Sequence, residues 1–219
     1  MVLAFKMSLA ARPIVIFDFD GTLADSLQLV IQEYNRLAPR YRVKRVDVAE
    51  LPRLRAMKPS AILREHNITF WKLPIMVSHM RLVMHGHADA LQPFAGIAEV
   101  LRGLASAGVR CNVLSTNSSK NIGRFLRRHG LEVFDQIEGS VSMSGKARAL
   151  RKLIERQGWP ANQIVYVGDE IRDIEAAHAA GVRALAVSWG YADPKALQAH
   201  RPWQTAEHPG QLLSLLVPG

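Results

Sequence analysis

Two aspartates, Asp18 and Asp20, stand directly after the apolar run Ile14-Val15-Ile16-Phe17. Side chains repeat with period two along an extended chain, so both carboxylates leave the same face of a strand at its carboxyl end. Charge at the end of a buried strand must be paired or bind a cation, and ligands bind at that edge of open α/β sheets. Gly21 then ends the strand, and Thr22, Asp25 and Ser26 offer caps for a following helix. A second acidic group follows another apolar run, Ile164-Val165-Tyr166-Val167. There Gly168-Asp169-Glu170 leads to Asp173, four residues on. Asp169 and Asp173 share one helical turn. So much anionic charge in one place calls for a cation, and oxygen ligands favour Mg²⁺.

Between these acidic stations lie two further polar positions. Ser115-Thr116-Asn117 ends the apolar stretch Val109–Leu114 and precedes a helix over 118–129, where hydroxyl, carboxamide and helix-start amides can hold a phosphate. Thr116 is the preferred hydroxyl, with Ser115 the alternative register. Lys146 opens a helix over 147–157, with Arg148 a weaker substitute for its charge.

The elements that must position these groups read as strands 13–18, 109–114, 133–137, 164–168 and 182–187, alternating with helices 97–107, 118–129, 147–157 and 170–180 and a closing helix near Leu212–Leu216. This is a doubly wound α/β fold with a parallel sheet of about five strands. Helices at 24–38, closed by Pro39, and near 47–56, 60–66 and 72–87 interrupt the alternation. About 65 helical residues between consecutive strands far exceed an ordinary connection, so residues 24–92 are expected to form a small α-helical cap domain. Residues 1–23 and 93–219 then form the core.

Asp18-Phe19-Asp20-Gly21-Thr22 resembles the first motif of the haloacid dehalogenase superfamily in its phosphatase form. The strand ending in Thr116-Asn117, the lysine Lys146 and Gly168-Asp169…Asp173 resemble its second, third and fourth motifs, in order. Ala147 stands where a proline usually follows the lysine, which costs only backbone preorganisation. The resemblance spans 13–217 and is strongest to the phosphoglycolate-phosphatase-like branch with a helical cap. It implies a Mg²⁺-dependent phosphatase acting on a small phosphate monoester through an aspartyl-phosphate. Asp18 is then the nucleophile and Asp20 the general acid and base. Asp18, the Asp20 backbone carbonyl and Asp169 are the metal ligands, while Thr116, Asn117 and Lys146 hold the phosphoryl oxygens. Asp173 and the weaker candidate Glu170 orient these groups from behind. The first strand is expected between the second and fourth.

Other readings stay open. A sugar phosphomutase of the same superfamily would use the same acids. A dehalogenase would lack the Asp20 carboxylate, and Lys44, Lys58 and Lys72 carry no signature of an imine-forming phosphonate hydrolase. The chain carries 28 Lys and Arg against 19 Asp and Glu, a formal charge of +9, which raises the alternative of a non-catalytic scaffold binding nucleic acid. Retention of all the acids argues against it. The basic excess is densest in 25–92, with 11 basic and 6 acidic residues. Arg53, Arg55 and Lys58 are expected to reach over the cleft and choose among small anionic esters. His79, His85 and His87 do not share one helical face and read as surface histidines. The single cysteine, Cys111, reads as a core thiol and fits a reducing cytoplasm. No run is long enough to span a membrane, and the leader Met1–Lys6 is too short for a secretory signal.

Overall fold

The structure is a computed structural model describing residues 12–57, 59–86, 90–142 and 145–217. In chain order the elements are β1 (Ile14–Phe17), β2 (Ala24–Asp25), α1 (Leu27–Tyr41), a 3₁₀ turn (Val48–Glu50), α2 (Leu51–Arg55), α3 (Pro59–Glu65), α4 (Lys72–Gly86) and β3 (Gln92–Pro93). Then come α5 (Ile97–Ser106), β4 (Arg110–Leu114), α6 (Ser119–His129), β5 (Phe134–Glu138), α7 (Lys146–Gln157), a second 3₁₀ turn (Ala161–Gln163), β6 (Ile164–Gly168), α8 (Ile171–Ala179), β7 (Arg183–Val187), α9 (Pro194–Ala199), β8 (Gln204–Ala206) and α10 (Gln211–Leu216).

Six parallel strands form the main sheet in the order β5-β4-β1-β6-β7-β8. The chain moves outward from β1 through β4 to β5, then returns past β1 to β6, β7 and β8. That reversal makes the carboxyl edge of β1 the natural crevice of the fold. The period of two in β1 divides the core. Val15 and Phe17 pack with Leu101, Leu104, Ile122 and Phe125 of α5 and α6 on one face. Ile14 and Ile16 pack with Leu150, Leu153, Ile174 and Ala177 of α7 and α8 on the other. Continued one step past the strand, the same parity sends Asp18 toward α7 and α8. It sends Phe19 the other way, where its ring meets Phe125 edge-on at 5.0 Å. Cys111 is buried in β4, and burial pushes its thiol up to about 12.

The sheet has one strand more than the five expected. β8 is a three-residue edge strand that exists through its pairing with β7. α9 also goes beyond the expected helices. β2 and β3 pair antiparallel, so the chain enters and leaves the intervening helices side by side. α1 starts at Leu27 and runs through Pro39 to Tyr41, although the proline gives up its own donor and crowds the carbonyl four residues back. The helix ends instead at Arg42, which takes a left-handed conformation and donates to Ala38 O and Pro39 O. α1 and α4 pack around the buried side chains of Ala38, Val43 and Met76. Tyr41 bonds the His79 ring nitrogen Nδ1; the side chains of His85 and His87 lie outside the described residues.

Candidate active site

β1 ends at Phe17, and Asp18 N still donates to Val167 O of β6 at 2.8 Å. Asp18 is therefore held at the sheet edge, buried, with Oδ1 accepting from Phe19 N at 2.8 Å. Its Oδ2 accepts from Lys146 Nζ at 2.8 Å, and the same ammonium donates to Asp173 Oδ1 at 2.5 Å. Lys146 is the first residue of α7, almost wholly buried, whereas Arg148 is exposed. Burial works against the lysine's charge, but Asp173 and Asp18 outweigh it and raise its pKa well above the usual value.

Asp169 follows β6 and is fully buried. Its Oδ1 accepts from Thr22 Oγ1 and its Oδ2 from Tyr191 N, both at 2.8 Å. Gly21 and Gly190 pack directly on it. A Cβ on either would come within 2.3 Å of an Asp169 side-chain atom, and Gly21 also has φ of +79°. Thr22 and Ser26 thus do other work than the expected capping, for Ser26 Oγ bonds Tyr191 Oη at 2.6 Å. Asp173 Oδ2 accepts from Glu170 N in a capping box that starts α8. Glu170 in turn pairs with Arg172.

Asp20 is held by Asn117, whose Nδ2 donates to Asp20 Oδ2 at 2.9 Å; Asp20 Oδ1 is buried without a partner. Burial, opposed by the Asn117 bond and aided by the charge of Asp18, pushes the Asp20 carboxyl up to about 6. Between the candidate registers, Ser115 is fully buried and accepts from Asn117 N, while Thr116 lines a cavity. That cavity, about 670 Å³, has Asp20, Thr116, Asn117 and Arg172 in its sheet-side wall and Val30, Val77, Met80 and Leu82 in the opposite one.

Of the three basic residues expected over the cleft, Arg53 pairs with Glu65 and Glu50. Arg55 donates to Gly190 O at 2.6 Å, and Lys58 lies outside the described residues. Tyr191, Gly190 and Arg172 were not singled out from the sequence, and Thr22 was read only as a cap within its motif. Thr22, Tyr191 and Gly190 act through contacts between distant segments, whereas Arg172 pairs with Glu170 two residues back; only the Gly-Thr pair after Asp20 carried a local signal.

Asp18, Asp169 and Asp173 can each bring a carboxylate oxygen within 4.8 Å of the others. Burial and then the charges of Asp173, Glu170 and Asp18 drive the Asp169 pKa well above the usual carboxylate range. Such crowded anionic oxygen fits a hard divalent cation. Fold and site together place a buried carboxylate cluster at the crevice of a doubly wound sheet. The family model of haloacid dehalogenase-like hydrolases matches residues 15–187, and the chain belongs to that family. It is 37% identical over 204 residues to a phosphoglycolate phosphatase of Synechococcus elongatus, covering 93% of this chain and 96% of that one. A pyrophosphatase PpaX of Bacillus mycoides is 25% identical over 210 residues, covering 92% and 95%. Among solved structures, a haloacid dehalogenase-like hydrolase from Streptococcus pneumoniae superposes with a TM-score of 0.77 at 20% identity, over 93% of this chain and 98% of that one. A hydrolase from Pseudomonas syringae gives 0.72 at 18%, over 94% and 98%. No helix among the described residues is long and apolar enough to cross a membrane.

Proposed function

We propose that this chain is a Mg²⁺-dependent phosphatase that hydrolyses a small phosphate monoester, phosphoglycolate being the first substrate to try, in the cytoplasm. The observation that carries the reading is the pair of unlike carboxylates at one sheet edge. Asp18 is kept beside the Lys146 ammonium, while Asp20 is lifted toward neutrality by burial, with one oxygen unpartnered. Environments that drive two acids apart assign them different roles. Asp18 attacks phosphorus and the bond to the leaving oxygen breaks, giving an aspartyl-phosphate. Asp20 gives its proton to the departing alkoxide. It then takes a proton from the water that attacks phosphorus, and the Asp18–phosphoryl bond breaks to release inorganic phosphate.

Thr116, Asn117 and Lys146 hold the phosphoryl oxygens in this reading. Asp173, engaged by Lys146 and Glu170 N, orients the lysine. Asp18, Asp169 and the Asp20 backbone carbonyl would hold a divalent ion, which would supply charge neutralisation for the incoming ester. Residues 24–92 form the cap domain over a core of 1–23 and 93–219.

The test is turnover of a panel of phosphate monoesters after chelation, with Mg²⁺ or Ca²⁺ restored, followed by borohydride quenching. Mg²⁺ should restore activity, Ca²⁺ should inhibit, and reduction of the trapped acyl phosphate should leave homoserine at position 18. Full activity after chelation, or activity restored by Zn²⁺ alone, would refute the metal site. Turnover with no label at position 18 would remove the nucleophile.

A further inference from the structure

The turn that starts α6 carries a polar side chain where packing alone would take an apolar one. Ser118 Oγ caps the helix by accepting from Asn121 N at 3.2 Å, and Asn121 is turned inward, only 4% exposed, on the buried face it shares with Ile122, Phe125 and Leu126. A buried amide must be hydrogen-bonded to offset its lost hydration. Asn121 Oδ1 has no partner, and among the described residues the side chain makes one hydrogen bond, from Nδ2 to Asn117 Oδ1 at 3.1 Å. An orphaned buried oxygen destabilises, so the contribution of this amide lies in that one bond.

Asn117 Oδ1 also accepts from Ser118 N at 2.8 Å. A backbone N–H can only donate, so the atom facing it is the oxygen, and Asn121 engages the second lone pair of that oxygen. With Oδ1 held twice, Nδ2 is turned to Asp20 Oδ2 at 2.9 Å. The position of a proton follows. A carboxyl oxygen that accepts from an N–H is not the one that bears the hydrogen, so the acid form of Asp20 carries it on Oδ1, the oxygen without a partner. With the carboxamide reversed, Asn117 Oδ1 would face Asp20 Oδ2 and draw the hydrogen there instead.

We propose that Asn121 is a positioning residue for proton transfer: by holding the Asn117 carboxamide in one orientation, it keeps the hydrogen of Asp20 on Oδ1, free for the leaving oxygen. As Asp18 bonds to phosphorus, the bond from phosphorus to the leaving oxygen breaks, its electron pair stays with that oxygen, and the oxygen takes the hydrogen from Oδ1. The inference rests on the phosphatase reading and deepens it, adding a residue that acts on Asp20 only through Asn117.

The test uses two esters that differ in their need for an acid. Ethoxide must be protonated as it leaves, whereas 4-nitrophenolate leaves unaided, and kcat/KM reports the barrier to that departure. Asn121→Ala suits a helix interior and removes only the amide. It should lower kcat/KM for ethyl phosphate about 3- to 10-fold, the worth of one hydrogen bond, chiefly through kcat, and change 4-nitrophenyl phosphate by less than about twofold. In an Asn117→Ala background the same substitution should add nothing on either ester. Asn121→Ser, whose hydroxyl is too short to span the same distance, gives the same comparison where the alanine variant does not fold. Equal losses on both esters, a loss carried by KM, or an undiminished loss in the Asn117→Ala background would overturn the proposal by giving Asn121 to the substrate or to folding. Asp20→Asn is the reference, and should lose far more on ethyl than on 4-nitrophenyl phosphate. If it does and Asn121→Ala does not share the bias, this inference falls and the phosphatase reading stands; if Asp20→Asn shows no bias, the acid role of Asp20 falls and takes this inference with it.

Discussion

The sheet edge and the helical segment above it are built to different standards. At the edge, Asp18, Lys146, Asp169 and Asp173 are nearly or completely buried; Lys146 joins Asp18 to Asp173, Thr22 and Tyr191 hold Asp169, and backbone at Gly21, Gly168 and Gly190 packs so close to the acids that no side chain fits. The helical segment has a small cluster of Ala38, Val43 and Met76, with Ile31, Leu37 and Leu54 also buried, and leaves Phe70 87% and Trp71 66% exposed. It touches the sheet-side wall through the β2–β3 pair, the Ser26–Tyr191 bond and the Arg55–Gly190 bond. Fixed geometry is thus concentrated at the carboxylate cluster, the proposed reaction centre, and looser packing in the helical segment above it. Regions with few buried apolar contacts open at lower free energy.

The sharpest way to break this contrast is to touch the edge with the least change in shape. Asp18→Asn keeps the volume and removes the proposed nucleophile, so kcat should fall by at least about a thousandfold, by analogy with loss of catalytic groups elsewhere. A folded variant keeping a tenth of wild-type kcat would defeat the assignment. A smaller effect comes from pairing two alanine substitutions. In Gly190→Ala the new Cβ would lie 2.2 Å from Asp169 Cβ, and displacement of that acid should cost about 100-fold in kcat. Met76→Ala should cost about 2–5 kcal/mol in the helical segment yet alter turnover of ethyl phosphate by less than about threefold. Similar kinetic losses in both would mean the two regions act as one unit.

The smallest effect concerns pH. Asp20 in the folded protein holds its proton up to about 6, against a usual carboxyl value of 3.8. Its contribution to stability is fully present below about 4 and is lost as pH rises through about 6. Asp20→Asn, inactive but unable to ionise, should therefore melt higher than wild type at pH 8 without metal, and the difference should vanish at pH 4. A difference of the same size at both pH values would show that burial of this carboxyl is not what shifts it.

The parts legible in the sequence were those whose signal is local. Apolar runs ending in Asp18 and Asp169, and the order of Thr116, Lys146 and Asp173 along the chain, needed no tertiary information. β8 was not legible because Gln204-Thr205-Ala206 has neither length nor alternation, and only its neighbour makes it a strand. The capping reading of Thr22 and Ser26 followed propensity, which tertiary partners then overrode: each hydroxyl meets a residue about 150 positions away or more. Arg172 gave no signal at all, since an arginine in the first turn of a helix looks solvated until its surroundings are known. For Arg53 and Arg55 the charge count gave no partners: Arg53 turns to Glu65 and Glu50, while Arg55 reaches the backbone of Gly190 beside Asp169.

Cys111 offers a clock for the slower of the two motions that this contrast implies. The only thiol in the chain lies in β4, beside the strand that carries Asp18, and its burial and high pKa keep it from reacting while the sheet is closed. A thiol reagent would therefore label the protein at the rate at which the sheet itself opens, whatever the helices above are doing. Breathing of the helical segment and disassembly of the catalytic edge could then be timed separately in one unmodified molecule, the first by amide exchange and the second by loss of a single sulfhydryl.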